Sequence, residues 1–279
     1  MEEKTMKKLL ALLLCLLLVC SAFVLASCDA TDKADDDKNE SSNSDTSSDK
    51  KDDSSKEPST LNGKTAEELY ALALEKVAGL TNFEMTATQV IEMTYEGDTI
   101  TMNQIVINKM NGQDCYMKME NDMSPDANME MWYVDEWMYV ITEGVQNKAN
   151  ITWEEMQETY MPEGATAEGA LMNIPEAWFK DVKFEQEGDA YYLEFIVSGE
   201  EYLTYMDSTS LGAYLEGVDD VSYKVYFDKD GNLGQIVTEF DFVIETISCH
   251  AVSTSTVTNI GSVTIEAPEG TFADVTDQM

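Results

Sequence analysis

Met85-Thr86-Ala87-Thr88-Gln89-Val90-Ile91-Glu92-Met93-Thr94-Tyr95 sets the fold, because two kinds of side chain alternate along it. Met85, Ala87, Gln89, Ile91, Met93 and Tyr95 hold one parity. Thr86, Thr88, Val90, Glu92 and Thr94 hold the other. A period of two sends neighbouring side chains to opposite faces, so the stretch reads as a β-strand with one wet face. Gly97-Asp98 turns it into Ile100 to Met110, and Asn111-Gly112 turns that into Gln113 to Met119. Asn-Gly is the strongest short hairpin signal. Met129 to Val134 and Trp137 to Ile141 form a further hairpin about Asp135-Glu136.

Helices punctuate this pattern. Thr65-Ala66-Glu67-Glu68 is a capping box followed by Leu69, Leu72, Ala73, Lys76 and Val77 at helical spacing, with Gly79 as the stop. Thr152-Trp153-Glu154-Glu155 caps a second, short helix, and Glu200 to about Met206 is a third. Met161 to Ile174, with Gly164 and Gly169, reads as loop or weak helix. Strands resume at Val182 to Glu187 and Tyr191 to Val197, paired through Gly188-Asp189. They continue at Val221 to Phe227, Leu233 to Glu245, Ile247 to Asn259 and Ser262 to Ala267. About ten strands in hairpin order predict an α+β, mainly β fold. A curved antiparallel sheet would form a half-barrel, with short helices covering its concave face.

Leu61 to Met279, 219 residues, is long enough for one domain with a sizeable core. It carries nine lysines against 41 acids, a net charge of −32, and no Arg occurs in the chain. Such a surface repels phosphate backbones and lacks the planar fork that clamps phosphate, which argues against a nucleic-acid partner. Only Cys115 and Cys249 of this domain could pair, and the spacing leaves open a disulfide or two buried thiols.

The N-terminus decides where the domain lives. Lys4, Lys7 and Lys8 precede an almost all-Leu run from Leu9 to Val19, and Leu25-Ala26-Ser27-Cys28 closes it. This resembles the lipobox of bacterial lipoprotein signal peptides. The resemblance implies that residues 1–27 are a signal and that Cys28 becomes the first mature residue, lipidated on its sulfur. The protein would then be extracytoplasmic and lipid-anchored to the cell membrane. Residues 28–60 hold the lipidated Cys and a tether of Asp, Ser, Lys, Asn and Thr, which cannot bury a core. Its 32 residues from Asp29 to Thr60 give a reach of roughly 30 Å.

The capped first helix, the hairpin Met131-Trp132-Tyr133-Val134-Asp135-Glu136-Trp137-Met138-Tyr139-Val140 and the turn Tyr226-Phe227-Asp228-Lys229-Asp230-Gly231-Asn232 resemble the LolA-like superfamily, including its LppX-type lipoproteins. That resemblance implies a single LolA-like domain over residues 61–279, whose half-barrel encloses an apolar cavity for acyl chains. Carrier members use a cavity Arg, which this chain lacks; that argues against lipoprotein chaperoning.

Other chemistry has weaker support. Asp228, Asp230, Asn232 and Glu239 imitate a calcium loop, but Leu233 stands where the loop needs Gly, so the segment reads as a hairpin turn. The methionines are spread too widely for a thioether copper site and suit a loosely filled apolar interior. His250 is the only imidazole, and no nucleophile elbow is present. The expectation is therefore a monomeric, non-enzymatic protein without cofactor or metal. It would hold an apolar or lipid-like ligand against Met117, Met119, Trp132, Trp137 and Tyr139. The alternative is a surface protein of structural or interaction role, whose half-barrel is filled by its own helices.

Overall fold

A computed structural model describes residues 66–160, 176–187, 190–207, 217–228, 230–244 and 246–276. The signal, Cys28, the tether, Thr65 and the loop carrying Gly164 and Gly169 lie outside the described residues. The strands are β1 (Asn82–Tyr95), β2 (Asp98–Asn111), β3 (Asp114–Asn121), β4 (Met129–Val134), β5 (Trp137–Thr142) and β6 (Val145–Asn150). They continue with β7 (Lys180–Glu187), β8 (Ala190–Val197), β9 (Gly217–Val218), β10 (Val221–Phe227), β11 (Leu233–Ile244), β12 (Ile247–Thr258) and β13 (Ala273–Asp274). Helices α1 (Ala66–Ala78), α2 (Trp153–Tyr160) and α3 (Gly199–Asp207) interrupt them.

All thirteen described strands share one open, curved sheet. Two hairpin series, β1 to β6 and β7 to β12, are joined side by side where β1 pairs antiparallel with β12. The sheet is antiparallel throughout except at its edge, where β13 runs parallel to β6. The Asn111-Gly112 turn forms as its sequence predicts, with Gly112 at φ 67°. The capping box of α2 also forms. Thr152 Oγ1 accepts from the Glu155 amide at 3.2 Å, and Glu155 Oε2 accepts from the Thr152 amide at 2.8 Å.

The helices cover the concave face at three places. Tyr70 of α1 meets Phe195 of β8 edge-on at 6.1 Å, and Phe195 stacks on Tyr223 of β10 at 5.0 Å. Trp153 of α2 lies 5.3 Å from Tyr133 of β4, and Tyr202 of α3 lies 5.5 Å from Phe240 of β11. These rings belong to a contiguous apolar core that also holds Phe83, Met85, Ile91 and Met102.

The ends of the chain differ from the expectation. Val145–Asn150 is a strand although its residues are mostly polar; it lies next to the sheet edge, where only the two-residue β13 covers it. Ser262 to Ala267 forms no strand. Asn82 instead grips Val263, its Oδ1 accepting from the Val263 amide at 2.8 Å and its Nδ2 donating to the Val263 carbonyl at 2.9 Å. With those backbone groups taken by a side chain, residues 259–276 cross the convex face as an irregular strap. It ends on β6, where the Val275 amide donates to the Lys148 carbonyl.

Candidate ligand site on the concave face

Strand register divides the five residues expected to line a hollow into two groups. Met117 and Met119 of β3 point to the concave face, since Met119 opposes Val106 and Met117 opposes Asn108, both buried. Trp132, Trp137 and Tyr139 point to the convex face. Alternation gives the concave positions of that hairpin to Met131, Tyr133 and Met138, all nearly fully buried.

The three convex aromatics therefore do not share a hollow with the methionines. Trp132 packs on Tyr116 at 5.1 Å, Tyr139 meets Phe272 of the strap edge-on at 5.3 Å, and Lys148 Nζ sits 4.5 Å above the Trp137 ring. The strap covers Tyr139 through Phe272 and lies beside Trp132. It also closes one side of a groove of about 310 Å³ lined by Lys109, Tyr116, Trp132, Thr264, Ile265 and Glu266.

Away from the hairpin end at Asp98, the concave positions of the described strands carry no charge. Lys109, Lys118, Lys148, Lys183 and Lys224 all occupy convex positions, as do Glu84 and Glu92. Apolar rows run across the strands. Met119, Val106, Ala87 and Ile236 lie in one, interrupted on β12 by Ser255, and Met102, Ile91, Ala251 and Phe240 in another.

Between these rows lies a polar one that the sequence reading missed. Asn121, Gln104, Gln89, Ser253 and Thr238 stand in register on β3, β2, β1, β12 and β11. Asn108 lies on the far side of the Val106 row, opposite Met85 and Met117. Gln89 holds the bulky parity of β1, which was the available signal. Asn121 is satisfied, its Oδ1 accepting from the Met123 and Ser124 amides at 2.9 and 3.1 Å and its Nδ2 donating to Met102 Sδ at 3.2 Å.

Gln104 and Asn108 are different. They are 2% and 0% exposed, and both side-chain atoms of each amide lack a hydrogen-bond partner. A buried polar group left in that condition costs about 1–3 kcal/mol. Next to them Ala87, Val106 and Met119 form a small apolar cluster separate from the main core, with Met117 packed against it.

Cys115 and Cys249 are free thiols, both buried. They lie on β3 and β12 with β2 and β1 between them. Three strand spacings amount to roughly 14 Å, too far for a disulfide. Burial pushes the Cys115 thiol up to about 12, against a hydrogen bond from the Tyr133 backbone, and the Cys249 thiol up to about 11. No group of three or more His, Cys, Asp or Glu among the described residues is arranged to hold a metal ion. No helix among them is long and apolar enough to cross a membrane.

The fold is similar to that of several solved proteins. The crystal structure of LprF from Mycobacterium bovis is 13% identical, with 74% of this chain and 97% of that one covered at a TM-score of 0.42. The lipoprotein LppX from Mycobacterium tuberculosis is 8% identical over 72% of this chain and 99% of that one, with a TM-score of 0.35. A LolA superfamily protein from Nitrosomonas europaea is 10% identical over 73% and 96%, with a TM-score of 0.26. No curated protein matches the chain. Residues 65–231 match the model of a Family of unknown function (DUF6612), which takes in more than half of the sequence, and the chain belongs to that family.

Proposed function

We infer that this protein is an extracytoplasmic lipoprotein, anchored through Cys28, that holds an apolar, lipid-like ligand against the concave face of its half-barrel. The observation that carries this reading is the uncharged inner surface over β1 to β3. There Ala87, Val106 and Met119 form a cluster apart from the helix-packed core, and Met117 packs against both. Methionine side chains adapt to irregular apolar partners without a fixed shape. The role is binding rather than catalysis.

The test is native mass spectrometry of the detergent-free Cys28→Ala chain, whose own anchor cannot be mistaken for cargo. A lipid-sized adduct and saturable uptake of diphenylhexatriene are the expected results. No adduct and no uptake would decide for a half-barrel filled by its own side chains.

A further inference from the structure

We propose that Gln104 and Asn108 form a polar recognition element for an uncharged, oxygen-bearing acyl lipid, its ester or hydroxyl groups meeting the two amides. The proposal rests on the concave-face binding reading and names the ligand class for it. The two side chains are buried and their four amide atoms have no partner. A primary amide offers two donors and an acceptor, so each can serve an ester carbonyl or a hydroxyl from either direction.

The surroundings select against charge. The strand lysines face outward, the chain has no Arg, and an anionic headgroup would find no counter-ion on the inner strand positions. A buried carboxylate without a partner is strongly disfavoured. A hydrocarbon without oxygen would leave both amides as they stand. An uncharged glycerolipid meets both demands. Its acyl chains lie on Ala87, Val106 and Met119, while its oxygens reach the amides. Gln104 and Asn108 are four residues apart on β2, about 13 Å along the strand. Each therefore takes a separate group, which favours a lipid with more than one oxygen function.

The experiment is displacement of diphenylhexatriene from the full chain carrying Cys28→Ala, so that no anchor competes, by 1,2-dioctanoylglycerol, decanoate and dodecane. The wild type should yield to dioctanoylglycerol at concentrations about tenfold below either competitor, the effect of about one net hydrogen bond to a buried amide. In the near-isosteric Gln104→Met/Asn108→Leu variant that preference should vanish, dioctanoylglycerol then displacing the probe no better than dodecane. Replacing unpaired amides by apolar groups of similar shape is not destabilising, so the variant should fold. A second readout uses the wild type alone: dioctanoylglycerol, and not dodecane, should shift the side-chain amide resonances of Gln104 and Asn108.

Unchanged preference in the variant, or unmoved resonances, would overturn the proposal while leaving the concave-face reading intact. Failure of the wild type to take up either diphenylhexatriene or dioctanoylglycerol would overturn both.

Discussion

Lys76 Nζ of α1 lies 2.8 Å from Asn232 Oδ1 and also donates to the Asp230 carbonyl, so a lysine ammonium sits in the turn whose sequence imitates a calcium loop. The cation that this turn binds comes from the chain itself. Lys76→Met should lower stability by about 1 kcal/mol, since the exposed site discounts a charged hydrogen bond. That corresponds to about 2–4 °C in Tm. Thermal melts with and without calcium check it, and restoration of the variant by calcium would argue for an ion site.

The same turn gives a pH dependence. Burial pushes the Asp228 carboxyl up, but hydrogen bonds from the Asn232 side chain and from the Asn232 and Asp230 amides outweigh it, with Lys76 assisting. The net shift is below the ordinary 3.8. A depressed carboxylate stabilises the fold fully above 3.8, and that contribution is lost as pH falls through the lower folded value. Asp228→Asn should therefore melt lower than wild type at pH 7, with the gap narrowing below pH 3.8. Calorimetry across that window checks the sign.

The hairpin aromatics separate by face. Tyr133 is 2% exposed in the core, whereas Trp132 is half-buried beneath the strap. Tyr133→Ala should cost about 3–5 kcal/mol. Trp132→Ala should cost about 1–2 kcal/mol, as the loss of a half-buried contact. It should also leave uptake of an apolar probe unchanged. Denaturant melts paired with a fluorescence titration would show whether the convex face is as separate as its geometry.

Much of this was legible in the residues. Alternation in β1 and β2 and the Asn111-Gly112 turn follow from local rules, which is why the hairpin order could be read. The face taken by Trp132 could not be read, because Met131, Trp132, Tyr133 and Val134 are all apolar and alternation separates two sets without saying which is inside. That choice was made by α2, whose Trp153 packs on Tyr133, and by the strap, whose Phe272 packs on Tyr139. Both are long-range contacts. The buried amides were missed for another reason: Gln104 and Asn108 share the parity of Met102, Val106 and Met110, but amide side chains are mostly found at the surface.

The thiols offer a chemical test of burial. With Cys115 raised to about 12 and Cys249 to about 11, the reactive thiolate is scarce at pH 8 in the native state. Ellman's reagent should modify neither residue until denaturant is added, and then both. Rapid labelling of either in the folded protein would contradict the described packing.

The anchor is tested separately from the fold. Cys28→Ala should abolish incorporation of labelled palmitate and move the protein from the membrane to the soluble fraction, because the acidic domain has no affinity of its own for an anionic bilayer. Equal labelling of the variant would reject acylation at that sulfur.

The seam between β1 and β12 sets an order on how the chain matures. Thr88 and Thr254 face each other across it although 166 positions separate them, while the hairpins on either side need only near neighbours. Each half can zip early, yet β1 then waits as a 14-residue unpaired edge until the last long strand arrives. Such an edge is a template for association with other chains. The family match ends at residue 231, before β11 begins. A polypeptide cut there would lose β12 from beside β1 and β11 from beside β10, leaving two open edges, and its expected fate is aggregation rather than a smaller half-barrel.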